Sequence, residues 1–289
     1  MMRDYPCTYL QEGDGLLFED TLLPVPELHL QADLMAAYAL EHRQKTGAQW
    51  CILPFCHTVE AEAFGAHIHY GDRKNGPRIR DYVCTRLEEL MALPDIDFEK
   101  GRICTVLEAC RHLTEAGETV LLEITGPFTI LNGLIDPALL FRMLRRSPSE
   151  MAQVFEKLSA NILAYMQKAE HCGVQIISYA DPTGGTSIIG PRLAAQTAET
   201  FTLPLLRQAD RILRPETLLH LCPKTAFALL DTGCAREAQI DVAAHDYATA
   251  CEEVRGKVRF VGQTCVKNNR FQPNGRLQHL LLTTEEERK

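Results

Sequence analysis

The sequence predicts one α/β domain spanning residues 1–289, and a (β/α)8 barrel is the architecture that fits it best. Short apolar runs rich in Val and Ile alternate with longer segments of helical period, as in repeated βα units around a parallel sheet. No linker rich in Pro, Gly or Ser divides the chain. No glycine-rich phosphate fingerprint follows the first parallel strand, which disfavours the alternative, an open doubly wound sheet.

Six apolar runs predict buried strands, because both faces of a strand in a parallel barrel are covered. In chain order they are Gln49–Phe55, Val120–Thr125, Val174–Ala180, Thr217–Cys222, Gln239–Ala243 and Val258–Gly262. The two ends of the barrel are less well marked. Cys7–Gln11 and Leu277–Thr283 are the candidate first and last strands there.

Helices are predicted between these strands from the spacing of apolar residues and from end signals. They cover Asp33–Thr46, Ile79–Leu90, Lys100–Ala116, Pro137–Arg145, Ser149–Cys172, Pro191–Ile212, Thr225–Asp231 and Tyr247–Arg255. The longest follows Ser147 and Pro148, which favour a first helical turn. Gly173 comes directly after it, where a glycine commonly ends a helix.

Composition excludes several function classes. Thirty Lys and Arg against 38 Asp and Glu give a net charge of −8 without a basic block, which argues against a nucleic-acid surface. No apolar run approaches the roughly 20 residues that span a bilayer, and the amino end lacks the apolar stretch of a signal peptide. We therefore expect a cytoplasmic protein without a membrane partner, whose 11 cysteines are reduced thiols.

The sharpest candidate site is the pair His220 and Cys222, because reactive side chains of a barrel lie at the carboxyl ends of its strands. Residues i and i+2 of a strand point to the same face. Imidazole and thiolate are ligands that zinc prefers, and a catalytic zinc takes three protein ligands. Cys265 follows the strand Val258–Gly262 at the same end and is the best third candidate, whereas Cys234 precedes its strand and is expected at the opposite end.

Other polar residues follow predicted strands at this end of the barrel. Cys56, Glu60 and Glu62 come after the first of the six strands and could add a thiol or a carboxylate; a buried thiol and solvated acids are the alternative. Asp181 opens an Asp-Pro-Thr-Gly-Gly loop, either as a ligand contact or as part of a simple βα turn. The two histidines of Ala66–Tyr70 are expected in an exposed hairpin.

At these residues the chain resembles the uroporphyrinogen decarboxylase superfamily and, within it, the methylcobamide:coenzyme M methyltransferase branch. The segment Pro54–Ala66 is similar to the sequence PFCMTVEAEALGA of that branch, with His57 where Met is usual. Further similar segments are Gly126–Thr129 (GPFT), Ile177–Pro182 (ISxADP), Ile189–Arg192 (ISPR), the His220-Leu221-Cys222 pair and Arg259–Gly262, where VGN is usual. Their common order along the chain makes a chance match improbable.

The resemblance implies a (β/α)8 barrel and a zinc ion that activates a thiol to take a methyl group from a methylcorrinoid, either on a corrinoid protein or as free methylcobalamin. A thiol bound to zinc is deprotonated by the charge of the ion. The acceptor would be coenzyme M, another small thiol or a pterin. The candidate residues are, as zinc ligands, His220, Cys222 and Cys265; as catalytic residues, Asp181, Glu60 and Glu62; and as substrate contacts, Cys56, His57, Phe128 and Arg192.

The chain departs from that branch at both ends. The usual third zinc ligand, a Cys in a Gly-Cys-Gly segment on the last strand, is missing before the terminal Glu-Glu-Glu-Arg-Lys. Either Cys265 replaces it, or zinc is weakly bound or absent. The amino end is also short, since the branch usually places a strand before the helix at Asp33–Thr46. We therefore expect a barrel shortened at both ends, whose exposed sheet edge would favour a homodimer.

Two alternatives from other classes remain. A uroporphyrinogen decarboxylase would need arginines for a highly carboxylated ring, but only Arg3 precedes Arg43, nothing resembles the MRQAGRY segment, and Cys56 stands about where the decarboxylases place an aspartate. A non-catalytic relative that binds a corrinoid protein or a tetrapyrrole would explain the missing Gly-Cys-Gly segment.

Overall fold

The computed structural model describes residues 2, 3, 5, 18–284, 286 and 287. Its centre is a seven-stranded sheet, and a two-stranded hairpin lies beside it. In chain order the strands are β1 (Cys51–Leu53), β2 (His67–His69), β3 (Arg78–Asp81), β4 (Val120–Thr125), β5 (Ile176–Ala180), β6 (Leu218–Leu221), β7 (Ala235–Asp241), β8 (Phe260–Val261) and β9 (Arg276–Leu282). The candidate first strand at Cys7–Gln11 falls outside the described residues.

Five strands form the parallel part of the sheet, in the order β1, β4, β5, β6 and β8. Every residue of β4, β5 and β6 is buried, because these central strands are covered on both faces. The predicted strand Val120–Thr125 coincides with β4. The prediction of an α/β fold built on a mostly parallel sheet is thereby confirmed.

The carboxyl-terminal strand differs from the prediction of a uniformly parallel barrel. Leu277–Thr283 does contain a strand, but β9 runs antiparallel between β8 and β7. β7 pairs with β9 alone and exposes alternate side chains, as an antiparallel edge strand does. Among the described strands, β1 and β7 are the two edges of the sheet and share no ladder. The indole Nε1 of Trp50, just before β1, instead donates to Glu252 across this gap at 3.0 Å.

Twelve α-helical segments surround the sheet within the part of the chain that is described. They are α1 (Ala32–Thr46), α2 (Val59–Ala63), α3 (Leu87–Met91), α4 (Gly101–Glu115), α5 (Pro127–Leu134), α6 (Pro137–Arg146), α7 (Pro148–His171), α8 (Thr186–Ile189), α9 (Pro191–Thr197), α10 (Leu203–Ile212), α11 (Pro223–Asp231) and α12 (Tyr247–Val254). None of the described helices combines the length and the apolarity that crossing a membrane requires.

The predicted helix at Ile79–Leu90 is wrong over most of its length. Its first residues form β3, which pairs with β2 in an antiparallel hairpin, and only α3 is helical. The turn between β2 and β3 favours the hairpin over a helix, because the carboxylate of Asp72 accepts hydrogen bonds from the backbone N–H groups of Lys74 and Asn75. His67 and His69 are exposed in this hairpin, as the sequence predicts.

The predicted helix Pro191–Ile212 is continuous but irregular. A π-helical turn at Ala198–Thr202 joins α9 to α10. It lies directly before Pro204, which has no N–H to donate and whose ring crowds the carbonyl group of Thr200. The proline therefore widens the turn that precedes it without ending the helix.

Candidate functional site

A row of polar side chains crosses the middle of the parallel sheet near its carboxyl edge. The strand register places Glu123 beside Ser178, and Ser178 beside His220. Two positions earlier in each strand, the same face of the sheet carries only apolar side chains, namely Leu121, Ile176 and Leu218. This face is therefore apolar toward the amino ends of the strands and polar toward their carboxyl ends, where active sites of α/β barrels lie.

His220 is held in one orientation by hydrogen bonds to both ring nitrogens. Nε2 lies 2.9 Å from the carbonyl oxygen of Thr264, and Nδ1 lies 2.9 Å from Oγ of Ser178. A carbonyl oxygen can only accept, so Nε2 carries the proton in this arrangement and Nδ1 accepts from Ser178. Burial lowers the pKa of His220 to about 4. The ring is therefore neutral near pH 7, which is the form that binds metals.

A pocket with a cavity volume of about 60 Å³ opens beside this row. It is lined by four of the residues that the sequence singles out, His57, His220, Cys222 and Cys265. His57 follows β1, His220 lies near the end of β6 with Cys222 directly after that strand, and Cys265 follows β8. The parallel order of these strands brings the four residues to one edge of the sheet. Cys234 is buried at the start of β7 and does not line this pocket.

The pocket also contains an ion pair that the sequence reasoning missed. Nζ of Lys267 lies 3.0 Å from a carboxylate oxygen of Glu123, and the two side chains are only 18% and 7% exposed. Burial alone would raise the pKa of Glu123, but the charges of Lys267 and His57 bring it below its ordinary value. A glutamate inside the otherwise apolar run Val120–Thr125 was the signal available in the sequence, since an acid that is buried on a strand needs a partner.

His57 brings an unsatisfied nitrogen to the same pocket. Its Nδ1 atom is buried and has no hydrogen-bond partner within the part of the chain that the structure describes. Burial lowers the pKa of the ring, and Lys267 lowers it further, whereas Glu123 acts in the opposite direction. Buried polar atoms without a partner are rare in proteins and point to a missing water, ion or ligand.

The donor set suits zinc in kind, because two imidazoles and two thiols line one pocket and one imidazole nitrogen lacks a partner. As they stand, however, no three His, Cys, Asp or Glu side chains of the described residues are grouped closely enough to hold an ion. Zinc binding would require His220 to exchange one of its two hydrogen bonds for the metal and the thiols to turn toward it.

Cys56 and Glu62 belong to a separate cluster around the buried guanidinium group of Arg102. Nε of Arg102 lies 2.5 Å from Glu62, and its two terminal nitrogens donate to Sγ of Cys56 at 3.0 Å and to Oγ1 of Thr58 at 2.7 Å. The phenol of Tyr70 donates to the other oxygen of Glu62 at 2.5 Å. None of these five residues lines the pocket of His220. The cluster joins α4 to the segment after β1.

The model of the family described as uroporphyrinogen decarboxylase (URO-D) matches residues 21–278 of the chain. The chain belongs to this family. Curated relatives include the methylcobamide:CoM methyltransferase MtaA of Methanosarcina barkeri, 25% identical over 261 residues, which are 89% of this chain and 76% of the relative. The methylcobamide:CoM methyltransferase MtbA of Methanosarcina acetivorans is 28% identical over 210 residues, 71% of this chain and 60% of the relative.

A solved structure described as a methyltransferase from Methanosarcina mazei superposes on this URO-D family chain with a TM-score of 0.62 at 23% sequence identity. The match covers 73% of this chain and 62% of the solved chain. At this identity the similarity establishes the fold, and the fold is the one expected for the family. The structure here thus represents a URO-D fold whose described strands form an open sheet.

In this URO-D chain, Asp181 joins two loops and does not face the pocket of His220. Its carboxylate accepts hydrogen bonds from the backbone N–H groups of Phe128 at 3.1 Å and Thr129 at 2.8 Å, and from the hydroxyl of Thr129 at 2.7 Å. Burial raises the pKa of Asp181 to about 6, although these bonds act in the opposite direction. Asp181 borders a smaller cavity of about 20 Å³, and its assignment as a catalytic residue stays a prediction.

The remaining predicted residues also lie outside the pocket. Phe128 is a core residue whose ring packs against Phe155. Glu60 is fully buried, with one oxygen accepting from the backbone of Thr125 at 2.7 Å, and burial raises its pKa. Arg192 is exposed near the start of α9. The roles assigned to these three residues stay predictions, and their positions do not support contact with a substrate in this pocket.

Asp181 should make stability depend on pH in a direction opposite to most acids. Its pKa rises from an ordinary 3.8 to about 6 in the fold, so the folded state binds the proton more tightly. The contribution is fully present below about pH 4 and is lost as the pH rises through 6. The stability of the wild type relative to Asp181→Asn should therefore fall by about 1–3 kcal/mol between pH 4 and 7.

Urea unfolding of both proteins at several pH values checks this expectation, because the other titrating groups are common to the two and cancel in the difference. A difference that stays constant across this pH range, or that grows as the pH rises, would contradict it.

Proposed function

We propose that this chain transfers a methyl group from a methylcorrinoid to a thiol, using zinc held by His220, Cys222 and Cys265. The observation that carries the proposal is the pocket itself, because an imidazole and two thiols line it at the carboxyl edge of a URO-D sheet. The similarity to methylcobamide:CoM methyltransferases supports the same donor and acceptor classes.

Zinc, when bound, would hold the thiol substrate as a thiolate near neutral pH. The chain's own residues prepare the site for this role. Ser178 fixes the imidazole plane of His220 through Nδ1, in the way that an outer hydrogen bond orients a metal ligand. Because burial keeps this ring neutral, only one of its two nitrogens carries a proton at pH 7, and the other can coordinate a metal once its hydrogen bond is exchanged for the ion.

The proton of the thiol also needs an acceptor within the pocket. Glu123 is the carboxylate of the pocket lining, and the ammonium group of Lys267 keeps it ionised. We assign to Glu123 the uptake of this proton. The thiolate sulfur then forms a bond to the methyl carbon while the methyl–cobalt bond breaks, and the electron pair of that bond remains on cobalt.

Incubation of the purified chain with methylcobalamin and a thiol such as coenzyme M tests this function. The expected result is a thiol-dependent change of the visible spectrum as the methyl–cobalt bond is lost, with formation of the methylated thiol by mass spectrometry. Plasma mass spectrometry on protein purified without a chelator should find about one zinc per chain. No demethylation with coenzyme M, other thiols or a zinc-supplemented sample would refute the proposal.

A second candidate is a non-catalytic relative that binds a corrinoid protein or a tetrapyrrole. It is favoured by the finding that no three potential ligands are grouped together among residues 18–284. Binding of methylcobalamin without a thiol-dependent spectral change, in a protein that contains no zinc, would support this candidate over the methyltransferase.

A further inference from the structure

We propose that His57 is a further zinc ligand of this pocket, beside His220, Cys222 and Cys265. This inference rests on the proposed function, since it concerns the same metal. It gives a role to a buried ring nitrogen that has no hydrogen-bond partner among the described residues, and it assigns a ligand to the segment after β1.

The first argument is the unsatisfied atom. Nδ1 of His57 is buried without a hydrogen-bond partner, in a pocket that it shares with His220, Cys222 and Cys265. A neutral imidazole nitrogen in this state has a lone pair or an N–H group with nothing opposite it. Because thiols line the same pocket, a soft metal cation is the ligand that this nitrogen and the sulfur atoms could bind together.

The second argument is how firmly the chain on both sides of His57 is fixed. Arg102 donates to Sγ of Cys56 on one side and to Oγ1 of Thr58 on the other. Arg102 is itself anchored by Glu62. The side chains of Cys56 and Thr58 thus belong to the cluster around Arg102, while His57 between them lines the pocket of His220. A ligand held in this way is already placed before the metal arrives.

The third argument is the residue type. In the PFCMTVEAEALGA sequence that Pro54–Ala66 resembles, the position of His57 is a Met. A histidine there replaces a weakly coordinating thioether with an imidazole, the nitrogen ligand that zinc commonly takes.

Zinc affinity of the whole chain, measured by competition with a chromophoric chelator, tests the inference. We expect His57→Met to weaken zinc binding by about 10-fold or more. The absorption spectrum of the Co²⁺-substituted protein should also shift, because it responds to a change of ligand. His245→Ala, which removes an exposed histidine, is the matched control and should leave both readings unchanged. His57→Ala repeats the test, and circular dichroism verifies that each variant is folded.

The outcomes separate the two proposals. Wild-type zinc affinity and an unchanged cobalt spectrum in both His57 variants would overturn the role of His57 and leave zinc-dependent methyl transfer intact, with a water as the partner of Nδ1. A wild-type chain that binds no zinc would overturn both proposals. Weaker zinc binding in the His57 variants, together with methyl transfer by the wild type, would support both.

Discussion

Replacing Cys222 with Ser is expected to remove bound zinc and to lower methyl transfer to a thiol by at least about 100-fold. The thiol of Cys222 lines the pocket directly after β6, next to the oriented ring of His220. A serine hydroxyl is a poor zinc ligand, because zinc prefers thiolate and imidazole donors over an alcohol.

The fold should tolerate this substitution. Cys222 is the N-cap residue of α11, and serine is among the most favourable residues at that position of a helix. A lost activity in Cys222→Ser would therefore report on the pocket and not on unfolding. Cys104→Ser, which changes a partly exposed thiol on α4, is the matched control and should keep full activity. Methyl transfer by Cys222→Ser at the rate of that control would contradict the assignment.

Replacing Arg102 with Met should destabilise the fold by about 3–5 kcal/mol, the range for removing one partner of a buried ion pair. The side chain of Arg102 is only 2% exposed. Its loss leaves the carboxylate of Glu62 without its cation, and it leaves Sγ of Cys56 and Oγ1 of Thr58 with only their mutual contact at 3.3 Å. Methionine retains the apolar volume of the arginine stem, so the effect measures the lost polar contacts and not a large cavity.

Urea unfolding gives the free energy for this comparison. Arg111→Met lies on the same helix at an exposed position and should change stability by no more than about 0.5 kcal/mol. If Arg102→Met lost less than about 1 kcal/mol, the cluster would be of minor importance for stability. The argument that it fixes the position of His57 would then lose its basis as well.

The sequence could predict the elements whose signals are local. The apolar run Val120–Thr125 marks β4 to the residue, and the i, i+2 spacing of His220 and Cys222 places both on one pocket. The hairpin was not predicted, because the apolar spacing after Asp72 favours a helix. In the structure, two backbone N–H groups donate to the carboxylate of Asp72 and stabilise a turn there instead.

Features that depend on strand register or on contacts between distant residues could not be predicted from the sequence. The row of Glu123, Ser178 and His220 exists because three strands align at those positions, and no spacing in the sequence encodes that alignment. The ion pair of Lys267 with Glu123 joins two residues that lie far apart in the sequence. The position of Asp181 after β5 could be predicted, but the hydrogen bonds that its carboxylate accepts from the start of α5 could not, because they join segments far apart in the sequence.

The antiparallel strand β9 also sets an order of assembly. β8 pairs directly with β6, whereas β7 is joined to the described sheet only through β9, which follows both β7 and β8 along the chain. During synthesis, β1, β4, β5, β6 and β8 can align as soon as residue 261 is available. β7 must wait, as a detached segment, until residues 276–282 leave the ribosome. The last steps of sheet formation are therefore the docking of β9 on the exposed edge of β8 and the pairing of β7 with β9.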